Sequence, residues 1–166
     1  MKNFLKLASR NRSLILGFVL IAAFCSGQYS GFMMILVTLP ALLYYVVRFG
    51  LARHNKERSM HYLFAIGVVV AASAVVSSVH FYRHFSSRKE ADRVVRKVLD
   101  FREKQGRFPS DASELGDLAL RDRSRPLLHY TLLSDGKPAL FYAATFIPFD
   151  TWEYDFSSRT WFYRSH

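Results

Sequence analysis

Residues 62–82, YLFAIGVVVAASAVVSSVHFY, carry no Asp, Glu, Lys or Arg, whereas residues 87–105, SRKEADRVVRKVLDFREKQ, are dense in all four. At about 1.5 Å of rise per residue the first stretch reaches roughly 30 Å as a helix, the thickness of a bilayer's hydrocarbon core, and predicts a membrane span. The second places Ala91, Val94, Val95, Val98 and Leu99 at offsets of 3, 4, 7 and 8, an amphipathic stripe that must pack on something. Gly106 suits the position just past that helix and Pro109 prevents its continuation, so the helix is expected to end near Gln105.

Working outward, the chain of 166 residues holds 23 Lys and Arg against 13 Asp and Glu, a formal net charge of +10. From Met1 to Tyr82 the only carboxylate is Glu57; the other twelve lie in residues 83–166. Two further uncharged apolar runs precede the first stretch, residues 13–26 and 31–47, separated by Gln28, Tyr29, Ser30 and flanking glycines, which reads as a tight helical hairpin. The predicted organisation is a membrane domain over residues 1–82, with transmembrane helices near 13–29, 31–48 and 62–82, and an extracytoplasmic domain over residues 83–166. Lys2, Lys6, Arg10 and Arg12 also make the first run resemble a signal peptide, but Phe24 stands before Cys25 and no A-x-A pattern is clear. Basic residues before the first run, and Arg48, Arg53, Lys56 and Arg58 between the second and third, predict a cytoplasmic N-terminus and a periplasmic C-terminal domain in a bacterial inner membrane. Gly67, Ala71, Ala74 and Ser78 line one face of the third span and are expected to form a helix-packing face. Pro40 is expected to kink the second.

Beyond Gly106, Asp111 and Glu114 predict a capped short helix carrying Leu115, Leu118 and Leu120, and residues 121–126 a basic loop. Residues 127–133, the turn Ser134-Asp135-Gly136-Lys137 and residues 139–147 then read as a β-hairpin. Residues 151–156 and 160–163 read as a second, in which Trp152, Tyr154 and Phe156 alternate with Glu153 and Asp155. The fold class expected is therefore a membrane protein, three transmembrane helices followed by a small α+β domain of long amphipathic helix, short helix and antiparallel β-meander.

The order of a span running into an amphipathic helix, then "FREKQGRFPSDASELGDL", then short strands ending in "FDTWEYDFSSRTWFY", resembles the pseudopilins of type II secretion systems, the major pseudopilin especially. Phe108-Pro109 after Gly106 is similar to the loop that follows their long helix, and Asp150 to Trp161 to their terminal hairpin. The resemblance covers Tyr62 to His166 in outline and implies a pilin-like domain on a membrane stalk. The family's peptidase signal, a Gly and an aromatic with Glu five positions into the mature chain, is not matched: Leu36 follows Gly31-Phe32 at that place and Val68 follows Gly67.

Chemistry-bearing patterns are sparse. A single cysteine excludes an intramolecular disulfide, and there is no G-x-S-x-G elbow, Walker loop or G-x-G-x-x-G. His80 and His84 share a helix face but make only two ligands, and are expected to face solvent or headgroups. Asp150, Glu153 and Asp155 lack calcium-ligand spacing. No catalytic, metal or cofactor site is therefore assigned, and no nucleic-acid partner, since the helix's basic residues are interleaved with Glu90, Asp92, Asp100 and Glu103. The partners expected are membrane lipid and a protein or a second copy of the chain, met by the aromatics Trp152, Tyr154, Trp161 and Tyr163. The expected role is a non-enzymatic membrane protein presenting a pilin-like domain for protein interaction, accessory to secretion or envelope assembly. An immunity-type protein that neutralises a toxin and a membrane-anchored enzyme are the alternatives.

Overall fold

The computed structural model describes residues 9–116 and 128–165. The expected basic leader at Lys2 and Lys6, the helical residues Leu118 and Leu120, the loop at residues 121–126 and His166 lie outside them. The chain divides into two compact units, Met1–Phe81 and Tyr82–His166.

Unit 1 holds α1 (Arg12–Cys25), α2 (Gly31–Leu51) and the first half of α3 (Lys56–Gln105). Two of these helices, α2 and α3, are long and apolar enough to cross a membrane. The first run corrects the expectation of three such spans: it forms a helix of 14 residues, not one reaching residue 29. The chain breaks out of helix at Ser26, and Tyr29 sits in the left-handed region at φ 68°. Tyr29 lies three residues beyond the right-handed cap at Ser26, in the turn that leads into α2. Pro40 is accommodated inside the continuous α2.

Small side chains set the packing of unit 1. Cys25, Met34 and Val76 form its buried cluster, with Ile21, Ala22 and Ala72 against it. Polar links join the helices. The Ser73 hydroxyl donates to the Val69 carbonyl, 2.9 Å, and so accepts from the Thr38 hydroxyl, also 2.9 Å away. At the C-terminal end of α1 the Cys25 carbonyl, which has no partner within its own helix, lies 2.9 Å from His80 Nε2. A carbonyl only accepts, so Nε2 carries the proton. His80 is thus buried and engaged, where the sequence reading placed it against solvent or headgroups. Near the other end of α1, Arg10 pairs with Glu57 at 2.6 Å.

Unit 2 packs the second half of α3 against a four-stranded antiparallel meander: β1 (Leu128–Leu132), β2 (Pro138–Ala143), β3 (Thr151–Asp155) and β4 (Thr160–Arg164), in the order β1-β2-β3-β4. The pairing sets Leu140 opposite Tyr130 and Tyr154, and Tyr154 opposite Trp161, so one sheet face carries these side chains toward α3. They close on Val94, Val95 and Val98 to make the core. The expected short helix is a single 3₁₀ turn, Ala112–Leu115, between an Asp111 that accepts from the Ser113 amide and a left-handed Gly116. Glu114 reaches one residue further back than a capping glutamate would, accepting from the Ser110 amide at 3.2 Å and from Arg107 at 2.9 Å. These bonds hold the loop whose Pro109 is fully buried and whose carbonyl accepts the Tyr130 hydroxyl at 2.8 Å.

Candidate functional site

The densest chemistry of unit 2 lies where His84, Arg88 and Asp92, successive turns of one helix face, meet the aromatic side of the sheet. The Arg88 guanidinium sits 4.5 Å from the Trp161 ring centre and 5.8 Å from that of Trp152. Asp92 holds both neighbours, accepting from Trp161 Nε1 at 2.8 Å and pairing with Arg88 at 3.4 Å. His84 lies half-buried, its ring centre 5.2 Å from Trp152 and 6.1 Å from Tyr142, another departure from the solvated position expected of it. Burial first, and the Arg88 charge second, push its imidazole below the ordinary value. The Tyr142 hydroxyl is buried, with Arg88 near it but no hydrogen bond of good geometry. Burial pushes it up, against the opposing pull of Arg88.

Of the four aromatics expected to meet a partner, Trp161 and Tyr154 border the core, Trp152 is half-buried beside His84, and Tyr163 is exposed. Tyr163 packs edge-on against Trp152 and donates its hydroxyl to the buried Asp150. All lie on the helix side of the sheet. On the other side His129 stacks on Phe141, Arg164 lies over the exposed Phe162, and Arg164 pairs with Glu153 at 3.2 Å. Sequence reading missed this face because it is mixed in character; the β1–β2 register, which sets His129 opposite Phe141, is what reveals it.

In unit 1, Gly67, Ala71, Ala74 and Ser78 are all exposed, and the helix buries Ala65, Val69 and Val76 instead. Gly67 and Ala71 line an open apolar cleft of about 770 Å³ against Ile15, Val19 and Ala22 of α1, with Ser26 its one polar residue. Ser78 turns its hydroxyl back to the Ala74 carbonyl, 2.8 Å, so it offers an acceptor and no free donor.

Among the described residues no three His, Cys, Asp or Glu side chains are placed to hold a metal. Asp155 is occupied by Ser157 and Ser158, whose hydroxyls draw its carboxyl down to about 2. What the site can do chemically is hold cations against aromatic rings and present mixed aromatic and charged surface. Comparison with known proteins found no matching family profile, no matching curated protein and no matching solved structure.

Proposed function

We propose that the chain is a multi-pass membrane protein whose unit 2 is a pilin-like, non-catalytic module for binding another protein, accessory to secretion or envelope assembly. One observation carries the reading. α2 and the first half of α3 hold large apolar side chains outward, Leu36, Leu39, Leu43, Val70 and Val75 among them, while α3 continues without a break into a unit whose apolar residues are mostly folded inward. Water would penalise the first surface far more than the second. The Arg10–Glu57 pair supports placing the N-terminal end of α1 and the α2–α3 connection on one side, and the basic residues there favour the cytoplasm of a bacterial inner membrane. Unit 2 then lies in the periplasm. Its long helix, buried-proline loop and meander support the pilin-like reading.

The face proposed for the partner is the outer side of the sheet, Phe141, Phe162, His129 and Arg164, which pairs aromatic surface with charge in the manner of interface residues. The test is crosslinking of full-length protein in native membranes, from a photoreactive residue at Phe162 and from one at Asp135, with mass spectrometry of the products. A discrete adduct from Phe162 and none from Asp135 is the expected result. Equal labelling at both, or none, removes the binding role, and extraction of the protein by alkaline carbonate removes the membrane assignment.

A further inference from the structure

We propose that the β2–β3 connection, residues 144–150, is a lipid anchor that sets Ile147 and Phe149 into the headgroup region of the bilayer. The inference rests on the membrane reading above and adds a second, independent attachment. The two ends of the sheet differ in character. At one end the turns are charged, Ser134-Asp135-Gly136-Lys137 and Ser157-Ser158-Arg159. At the other the connection reads ATFIPF over residues 144–149, with no charge, and the Asp150 that follows is buried and accepts the Tyr163 hydroxyl.

That uncharged connection buries Ala144 and Thr145 and displays Ile147 and Phe149. The Ala144 amide donates to the Asp150 carbonyl at 2.8 Å, closing the loop at its base. Phe149 is held at φ 72°, a conformation a bulky residue adopts only where its surroundings impose it. The result is a phenyl ring that is 81% exposed, beside an Ile147 that is 40% exposed.

The occupant follows from which end this is. Tyr142, Trp152 and Tyr163, the helix-facing sheet residues nearest the connection, belong to the level that packs on His84 and Arg88, the first turns of unit 2. Those turns follow directly, in the same helix, on the apolar run that closes at Tyr82. The helix at this level adds Tyr82, 72% exposed, and Phe85, 61% exposed. Exposed aromatic rings beside the end of a membrane span, with Asp150, the one carboxylate of the connection, buried, have the chemistry of an interfacial belt. A water-facing loop has no such composition, and the opposite end of the same sheet shows what one looks like here.

Spin labels on the full chain in liposomes of neutral and anionic phospholipid test this, in a Cys25→Ala background that removes the only native thiol. Labels are placed at Phe149→Cys, at Ile147→Cys as a second reporter, at Asp135→Cys on the far turn, and at Leu43→Cys in α2. The readout is the ratio of oxygen to nickel-chelate accessibility. Ratios at 149 and 147 several-fold above that at 135 are expected. If 149 and 147 match 135 while 43 is oxygen-rich, the anchor is refuted and the membrane reading stands. Should 43 also be nickel-accessible, both fall. Labels at 149 and 147 that are aqueous in liposomes but shielded in native membranes mean that a protein covers the loop, and the lipid proposal is overturned.

Discussion

Removing one hydroxyl oxygen is expected to have opposite consequences at two buried tyrosines of the same sheet face. Tyr130 donates to the carbonyl of the fully buried Pro109, so Tyr130→Phe loses a hydrogen bond and strands an acceptor away from water. The lost bond is worth about 1 kcal/mol and the unpaired carbonyl about 1 more, giving a cost near 2 kcal/mol. For a unit of this size that corresponds to a fall of roughly 8–16 °C in midpoint. Tyr142→Phe removes a buried hydroxyl that makes no hydrogen bond of good geometry, its one polar neighbour being Arg88, and is expected to be neutral or mildly stabilising. The assay is thermal unfolding of the full chain in detergent, followed by tryptophan fluorescence. Both tryptophans, Trp152 and Trp161, lie in this sheet, so the signal reports unit 2 alone. Equal destabilisation by the two variants would refute the hydrogen-bond argument. So would a Tyr130 that ionises normally: burial, then the Glu114 charge, push its hydroxyl up to about 12.

Other outcomes follow from the same geometry. Leu140→Ala empties the centre of the unit 2 core and should cost about 2–5 kcal/mol, melting the tryptophan signal while helical circular dichroism from unit 1 persists. Because the folded unit holds His84 below its ordinary value, the unfolded chain takes up a proton that the folded one refuses. Stability should be full above about pH 7 and fall as pH drops through roughly 6.5, a trend that His84→Gln flattens. Asp155 acts in the same direction lower down, its contribution lost as pH falls from about 4 toward its folded value near 2. Arg159→Gly, at a turn position with φ 55°, relieves a strained side chain and should stabilise by about 0.5–1 kcal/mol in the same fluorescence assay.

The legible parts of this fold are those written in local periodicity. The valine stripe of α3, the Gly106 stop and the Asp135-Gly136 hairpin each stand where neighbouring residues dictate them, and the meander follows from short turns between β-forming segments. The reach of α1 was overestimated because an uncharged run looks the same whether it spans a bilayer or stops halfway; the left-handed Tyr29 is a backbone fact with no compositional mark. His80 and His84 were misplaced for another reason. Their partners, the Cys25 carbonyl and the Trp152 ring, are separated from them by dozens of residues, and periodicity carries no information about such pairs. The same holds for Asp92, which reads as one more solvated charge until register brings Trp161 over it.

Among the described residues, a meander ordered β1-β2-β3-β4 leaves β4 bonded on one side only. Its outer N–H and C=O groups form an open rim onto which a strand from another molecule could zip. Two features discourage that event: the strand is five residues long, and cations, Arg159 before it and Arg164 at its end, bracket it. The protection is electrostatic in part, and a Debye length of about 3 Å in molar salt would erase it. Concentrated salt, commonly used to keep basic proteins apart from contaminants, is therefore the condition under which this chain is most prone to add copies of itself edge to edge.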